Sequence, residues 1–437
     1  MRPVFLLAAI LAFTVLNSGC APEKKQQAEN AESAVDCADL PPVLSEEELR
    51  LLRVQTQAAR IAGSLDIKQL SAQLMICGID GRGHLNRDMQ ILFDECPAGG
   101  IILFRYNLDT PTKEIQNLIA EASAWIAERA AAPHSGVDEA AETELINIPP
   151  FAAVDHEGGQ VSRFRSGVAV LPAAASYAGG IAEFAHNSEW DSAIAQIETD
   201  SFLAGGEISG MGINMNLAPV AEFRNAHNSE FLQSRSYGAD PVFAAEAAAA
   251  FIRGMEQAGV LCVIKHFPGS AGADPHRFPS IINIGIDELN ILISPFNALI
   301  GAGQARALMV AHTLLPDRDP ANIASLSPLI LKDWLRDELG FSGLIICDDF
   351  SMTSALSPAA AQPLPAGGSG PAAHIAAAVS SLAAGADMVM VWPSDIRKTH
   401  RAIQDALANG GLSEERLREA AARIILEKIR MGLINVE

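Results

Sequence analysis

Five stretches place groups capable of proton transfer or nucleophilic attack directly behind runs of apolar residues. Asp155-His156-Glu157 follows Phe151–Val154, and Glu222 comes soon after Ile213–Pro219. His266 follows Leu261–Lys265, His312 follows Ala307–Ala311, and Asp348-Asp349 follows Gly343–Cys347. A further cluster, Asp274-Pro275-His276, stands shortly after Lys265-His266-Phe267-Pro268-Gly269. A carboxylate can attack an electrophilic carbon or carry a proton. An imidazole exchanges protons near neutral pH, and a neighbouring carboxylate orients the ring and stabilises its charged form. Asp348 and Asp349 are adjacent, and on an extended segment they point opposite ways, so only one can face a shared substrate. Each group also has a purely structural reading. Two acids after a strand can cap a helix, and an Asp-x-His can belong to an ordinary surface loop.

Something must hold these groups together. Eight short apolar runs recur along the chain: Leu74–Ile79, Gly100–Phe104, Phe151–Val154, Ile213–Pro219, Leu261–Lys265, Ala307–Ala311, Gly343–Cys347 and Met388–Trp392. Most are continuous rather than alternating, as parallel strands buried on both faces are. Helix-length stretches lie between them. Thr112–Arg129, Phe243–Ala258, Ser327–Leu339 and Ser413–Met431 carry apolar residues at helical spacing, the last two behind a capping Ser. Eight strands alternating with helices predict an α/β fold, a (β/α)8 TIM-like barrel forming a single catalytic domain. An open doubly wound sheet is the alternative, but no Gly-x-Gly-x-x-Gly follows a strand, so a dinucleotide site has no support. In a barrel the polar residues above all reach one rim, the carboxyl end of the strands, where catalytic groups collect. Ala131–Glu144 and Ser357–Ala373 read as insertions. The second follows the seventh run and would lie beside that rim, either as a flap or as a loop without a role.

The 437 residues carry 31 basic and 52 acidic side chains, a formal net charge of -21, which argues against binding a nucleic-acid backbone. At the start, Arg2 precedes an apolar run from Val4 to Leu16, too short to span a bilayer and suited to an export signal. Leu16-Asn17-Ser18-Gly19-Cys20 then resembles a bacterial lipoprotein processing site, which implies cleavage after residue 19 and a lipid on Cys20. The domains expected are therefore a signal peptide over 1–19, a tether over 20–40 and a barrel over 41–437. Export places the chain in an oxidising compartment. Of the remaining cysteines, Cys262 and Cys347 sit in apolar runs. Cys37, Cys77 and Cys96 could supply one disulfide whose pairing the sequence leaves open.

Lys265-His266-Phe267-Pro268-Gly269 with Asp274-Pro275-His276, and Ile346-Cys347-Asp348-Asp349-Phe350-Ser351-Met352, together resemble glycoside hydrolase family 3, in particular its single-domain β-N-acetylglucosaminidase branch. Gly99–Phe104, Val154–Gly159, Asn216–Val220, Arg235–Gly238 and Ala384–Met388 fall in the same order as in that family. The resemblance runs from about residue 65 to 435. It implies a retaining, exo-acting β-N-acetylhexosaminidase with Asp348 as nucleophile and His276, held by Asp274, as the proton carrier. It further implies that Asp155, Arg163, Arg235, Lys265 and His266 bind sugar hydroxyls, with the two arginines open to a structural ion-pair role. His156, Glu157 and His312 would stand behind them or in the wall. No metal or organic cofactor is needed, since carboxylate and imidazole suffice. Peptidoglycan or chitin fragments are the substrates expected outside the cytoplasmic membrane. A β-glucosidase or β-xylosidase of the same family, and a catalytically weak glycan-binding lipoprotein, are the alternatives. The chain departs from the family pattern where Pro-Gly-His-Gly is usual. Here Gly269 is followed by Ser270-Ala271-Gly272, and the loop to Asp274 is shorter.

Overall fold

The computed structural model describes residues 45–133, 145–179, 187–272, 274–275, 277–352 and 370–436. Cys20, Cys37, His276, residues 1–40 and most of both expected insertions lie outside the described residues. The chain divides into two units, Met1–Leu52 and Arg53–Glu437. Of the first, the described part is the opening of a helix, Glu46–Ser64. No helix among the described residues is long and apolar enough to cross a membrane.

The second unit is a closed barrel of eight parallel strands: β1 (Met75–Gly78), β2 (Gly100–Leu103), β3 (Phe151–Val154), β4 (Met215–Asn216), β5 (Leu261–Phe267), β6 (Ala307–Val310), β7 (Leu344–Cys347) and β8 (Met388–Val391). Neighbours in the barrel are neighbours in sequence, and β8 closes on β1. Each expected apolar run supplies one strand, because its residues are buried both toward the barrel axis and toward the surrounding helices. β4 is shorter than its run. Pro219 has no N–H for the ladder, but its carbonyl and that of Ala218 still accept the N–H groups of Lys265 and Val263, and Val220 bridges Lys265.

The helices follow local rules. α1 (Thr112–Arg129) spans the expected residues. α2 is Ser188–Gly210. α3 (Pro241–Gln257) starts two residues before the predicted Phe243, because Asp240 caps it and Pro241 fits the first turn. α4 (Leu329–Glu338) is wound wider than an α-helix, with the Leu339 N–H bonded to the Trp334 carbonyl five residues back. α5 (Pro371–Ala384) begins inside the stretch read as a loop to Ala373, with Pro371 at its first position. α6 (Glu414–Arg430) is capped by Ser413, whose side chain accepts the Arg416 N–H. Cys77, Cys96, Cys262 and Cys347 are free and buried, so no disulfide joins Cys77 to Cys96.

Two charged groups are sealed at the base of the barrel. Asp387 is fully buried before β8. Its carboxylate accepts from Arg336 (2.6 Å), Arg416 (2.7 Å), Arg423 (3.1 Å) and the Ile345 N–H (2.9 Å). Burial alone would raise its carboxyl, but the three guanidiniums reverse this and hold it low. Lys428 of α6 is equally buried. Its ammonium donates to Gln73 Oε1 at 2.8 Å and stands 5.2 Å from the centre of the Phe151 ring. Burial pushes it down to about 7 from 10.5. Between those values the unfolded chain holds a proton that the folded one lacks, so this group makes stability rise with pH across that window. Lys428→Met is expected to melt higher than the parent at pH 6, with the gap closing toward pH 10. Parallel melting curves at all pH values would disprove this account.

Candidate active site

The mouth of the barrel is built by breaks in strand regularity. On β5, Ile264 pairs with Leu308 and Phe267 with Val310, so β5 carries one residue more than β6 over this span. Such a bulge breaks the alternation of sides. Lys265 and His266 accordingly both line the pocket. After β3 the chain turns back within three residues. The Glu157 N–H bonds the Val161 carbonyl and the Val161 N–H bonds that of Gly158. Gly158 (φ +96°) and Gly159 (φ +52°) occupy the left-handed region that this turn demands. The return delivers Arg163 beside Asp155.

A cavity of about 410 Å³ results, and Asp155, Arg163, Arg235, Lys265, His266 and Asp348 all lie on its wall. The volume is in the range of small-molecule sites. Pro275 also lines it, while Asp274 does not. The Asp274 carbonyl accepts the N–H groups of Arg277 and Phe278.

The charges form a circuit. Lys265 Nζ contacts Asp155 Oδ1 and Glu157 Oε1, both at 2.6 Å. Arg163 pairs with the other Asp155 oxygen, and Arg235 grips Glu157 bidentately at 2.7 and 2.8 Å. Burial would raise Asp155, but Lys265 and Arg163 outweigh it and hold the carboxyl well below the usual range. Glu157 is lowered likewise by Lys265 and Arg235 against its burial. Glu222 accepts from His266 Nδ1 at 2.7 Å, while Arg235 Nη2 meets His266 Nε2 at 3.3 Å. A carboxylate only accepts and a guanidinium only donates, so the network assigns the ring proton to Nδ1. Glu222 also takes the Ser270 N–H (2.6 Å) and Oγ (3.0 Å). Ser270 thus fastens its loop to the partner of His266. Thr313 Oγ1 bonds the Gly269 carbonyl and the Ala271 N–H bonds Ser280 Oγ, tying the loop further.

Both aspartates after β7 line the cavity. Their surroundings differ. Asp349 is engaged by the Ser351 N–H, Ser351 Oγ and Trp392 Nε1. Among the described residues, the hydrogen bond made to the Asp348 carboxylate is from the Asp349 N–H at 2.9 Å. His312, buried, lines the cavity beside them and is bonded to Ser325 Oγ and the Asp349 carbonyl. Burial lowers it. Burial also pushes His156 down to about 4.

Sequence reasoning placed Glu157 behind the site and left Glu222 without a partner. Phe104, Phe231 and Trp392, which line the cavity as Glu157 and Glu222 do not, were not singled out. The signal for the acids was their position directly after strands. For Phe104 and Trp392 it was weaker, since each ends an apolar run, and Phe231 carried no such signal.

The sequence profile described as the glycosyl hydrolase family 3 N terminal domain matches residues 65–426. The chain belongs to glycoside hydrolase family 3. Among family relatives, a beta-hexosaminidase of Stenotrophomonas maltophilia is 30% identical over 340 residues, covering 77% of this chain and 88% of that one. The beta-hexosaminidase of Idiomarina loihiensis is 32% identical over 324 residues, covering 73% and 83%. The solved family 3 beta-N-acetylglucosaminidase from a Paenibacillus species superposes with a TM-score of 0.70 at 28% identity. That match covers 84% of this chain and 63% of the Paenibacillus protein, so this chain spans less than two thirds of it. As a family 3 member with this barrel and pocket, the protein is a glycoside hydrolase.

Proposed function

We propose that the protein is a retaining, exo-acting β-N-acetylhexosaminidase that removes terminal N-acetylglucosamine from glycans such as peptidoglycan or chitin fragments. The observation that carries this reading is the pairing of a lightly engaged carboxylate, Asp348, with a buried, preorganised set of hydroxyl-binding groups across one cavity. The relatives named beta-hexosaminidase point to the N-acetyl sugar.

Asp155, Arg163, Lys265, Arg235 and His266 hold the terminal sugar through its hydroxyls, which both accept from cations and donate to the carboxylate. An Asp348 oxygen attacks C1 as the bond from C1 to the leaving oxygen breaks, and His276 gives that oxygen a proton. Water then attacks C1 of the glycosyl ester, its proton passes to His276, and Asp348 is released as carboxylate. Asp274 orients the imidazole and stabilises its charged form. An uncharged base avoids bringing a second anion toward the ester intermediate. A lipid on Cys20 would fix the enzyme to a bacterial membrane, facing the periplasm or the exterior.

Aryl glycosides test the proposal. The folded protein is expected to release phenol from an aryl N-acetyl-β-glucosaminide far faster than from the matching β-glucoside. No release from the first, or preference for the second, would sink it.

A further inference from the structure

The cavity wall has two unlike arcs. The polar arc follows β3 and β5. The arc from β8 round to β2 is apolar, with Met390, Trp392, Ile102 and Phe104. Two of its rings, Phe104 and Trp392, stand parallel to each other and to Tyr106, which stacks on Phe104. Phe104 and Trp392 stack at 5.0 Å between centroids, Phe104 and Tyr106 at 6.0 Å, each pair inclined by 16°. Gly78, at the tip of β1 between them, makes the stack possible. A Cβ there would already touch the Phe104 ring at 3.4 Å and the Trp392 ring at 3.5 Å, so a larger side chain would wedge between the rings. The outer rings are held by their polar ends. Trp392 Nε1 donates to Asp349 Oδ2 at 3.0 Å and the Tyr106 hydroxyl to the Ile79 carbonyl at 2.8 Å.

Depth separates the floor from the rim. Trp392 is 37% exposed and Tyr106 40%, whereas Lys265 is 3% and His266 6%, with Asp155 and Arg163 half-buried between. The deepest polar groups are therefore inside and the outer stacked rings at the rim. If the buried arc holds the sugar whose C1 is attacked, the unit beyond the scissile bond lies outward, at the level of the rings. A pyranose has apolar C–H faces and a polar hydroxyl edge. It can lie flat on an indole while its hydroxyls stay in water, and a ring fixed in advance loses little freedom on binding.

We propose that Trp392, backed by Phe104 and Tyr106, is the platform for the sugar on the leaving-group side of the bond, and that it sets a preference for glycans over small aglycones. This rests on the reading of the polar arc given above. Asp349 is then a positioning residue, holding the indole plane through Nε1.

The test compares kcat/KM for N,N′-diacetylchitobiose with that for methyl N-acetyl-β-glucosaminide, whose leaving group cannot cover the indole. Trp392→Ala is expected to lower the disaccharide-to-methyl ratio about tenfold, and Trp392→Phe, which keeps a ring but loses the N–H, by no more than about threefold. An unchanged ratio in the Ala variant would overturn the proposal. So would equal losses on both substrates in both variants, since Trp392 would then act only through Asp349. If the parent enzyme accepts glucosides instead, the same pair is run with glucose. Failure of the substrate reading therefore appears in the parent, and failure of the platform only in the ratio.

Discussion

Asp348→Ala is expected to lower turnover of an aryl N-acetyl-β-glucosaminide by about 10⁴-fold or more while leaving the melting temperature near that of the parent. The size follows from its role. Without the carboxylate there is no covalent intermediate, and the remaining groups only bind and protonate. The small thermal effect follows from its surroundings, because among the described residues the Asp348 carboxylate takes a hydrogen bond only from the adjoining Asp349 N–H. Adding azide sharpens the measurement. The small anion can enter the space left by the carboxylate and attack C1 from the same side, giving a glycosyl azide of inverted configuration. Rescue with that product identifies Asp348 as the nucleophile. A residual rate within tenfold of the parent would remove Asp348 from that role, and the same experiment on Asp349→Ala would show whether its neighbour holds it.

Asp387→Asn acts on the fold instead. The substitution keeps the shape and one carbonyl but removes the buried charge that three guanidiniums share. Breaking a buried ion pair from one side costs about 3–5 kcal/mol, because the partners stay desolvated and unbalanced. Arg336 is already pushed down to about 9 by burial, against the pull of Asp387 and with Arg423 and Arg416 close by, so the cluster has little spare compensation. A fall in melting temperature of roughly 5 °C is expected for a unit of this size. A shift under about 2 °C would show that Asp387 does not carry the base of the barrel.

The strands were legible because each is a short run buried on both sides, a pattern that no surface element imitates. The rim acids were legible for a related reason, since a charged group directly after such a run must emerge at a strand end. What could not be read depends on partners far away in the chain. Glu157 owes its role to Arg235, 78 residues on, and Glu222 to His266, 44 residues on. The bulge that turns both Lys265 and His266 inward is visible only in the register against β6. Phe104 and Trp392 meet only because the barrel closes, which brings the ends of β2 and β8 to either side of β1.

The carboxylate after β7 and the clamp at the barrel's base share a strut. Asp387 bonds the Ile345 N–H at the start of that strand, and Asp348 sits roughly 10 Å further along its extended chain. A mounting so short and so firmly seated transmits little wobble, and a nucleophile misplaced by about 1 Å can lose 10²-fold in rate. In the proposed mechanism the aim of the reacting atom is thus set from below, not by the segments around the mouth. Those segments are free to be rewritten for another glycan without retraining the weapon they surround.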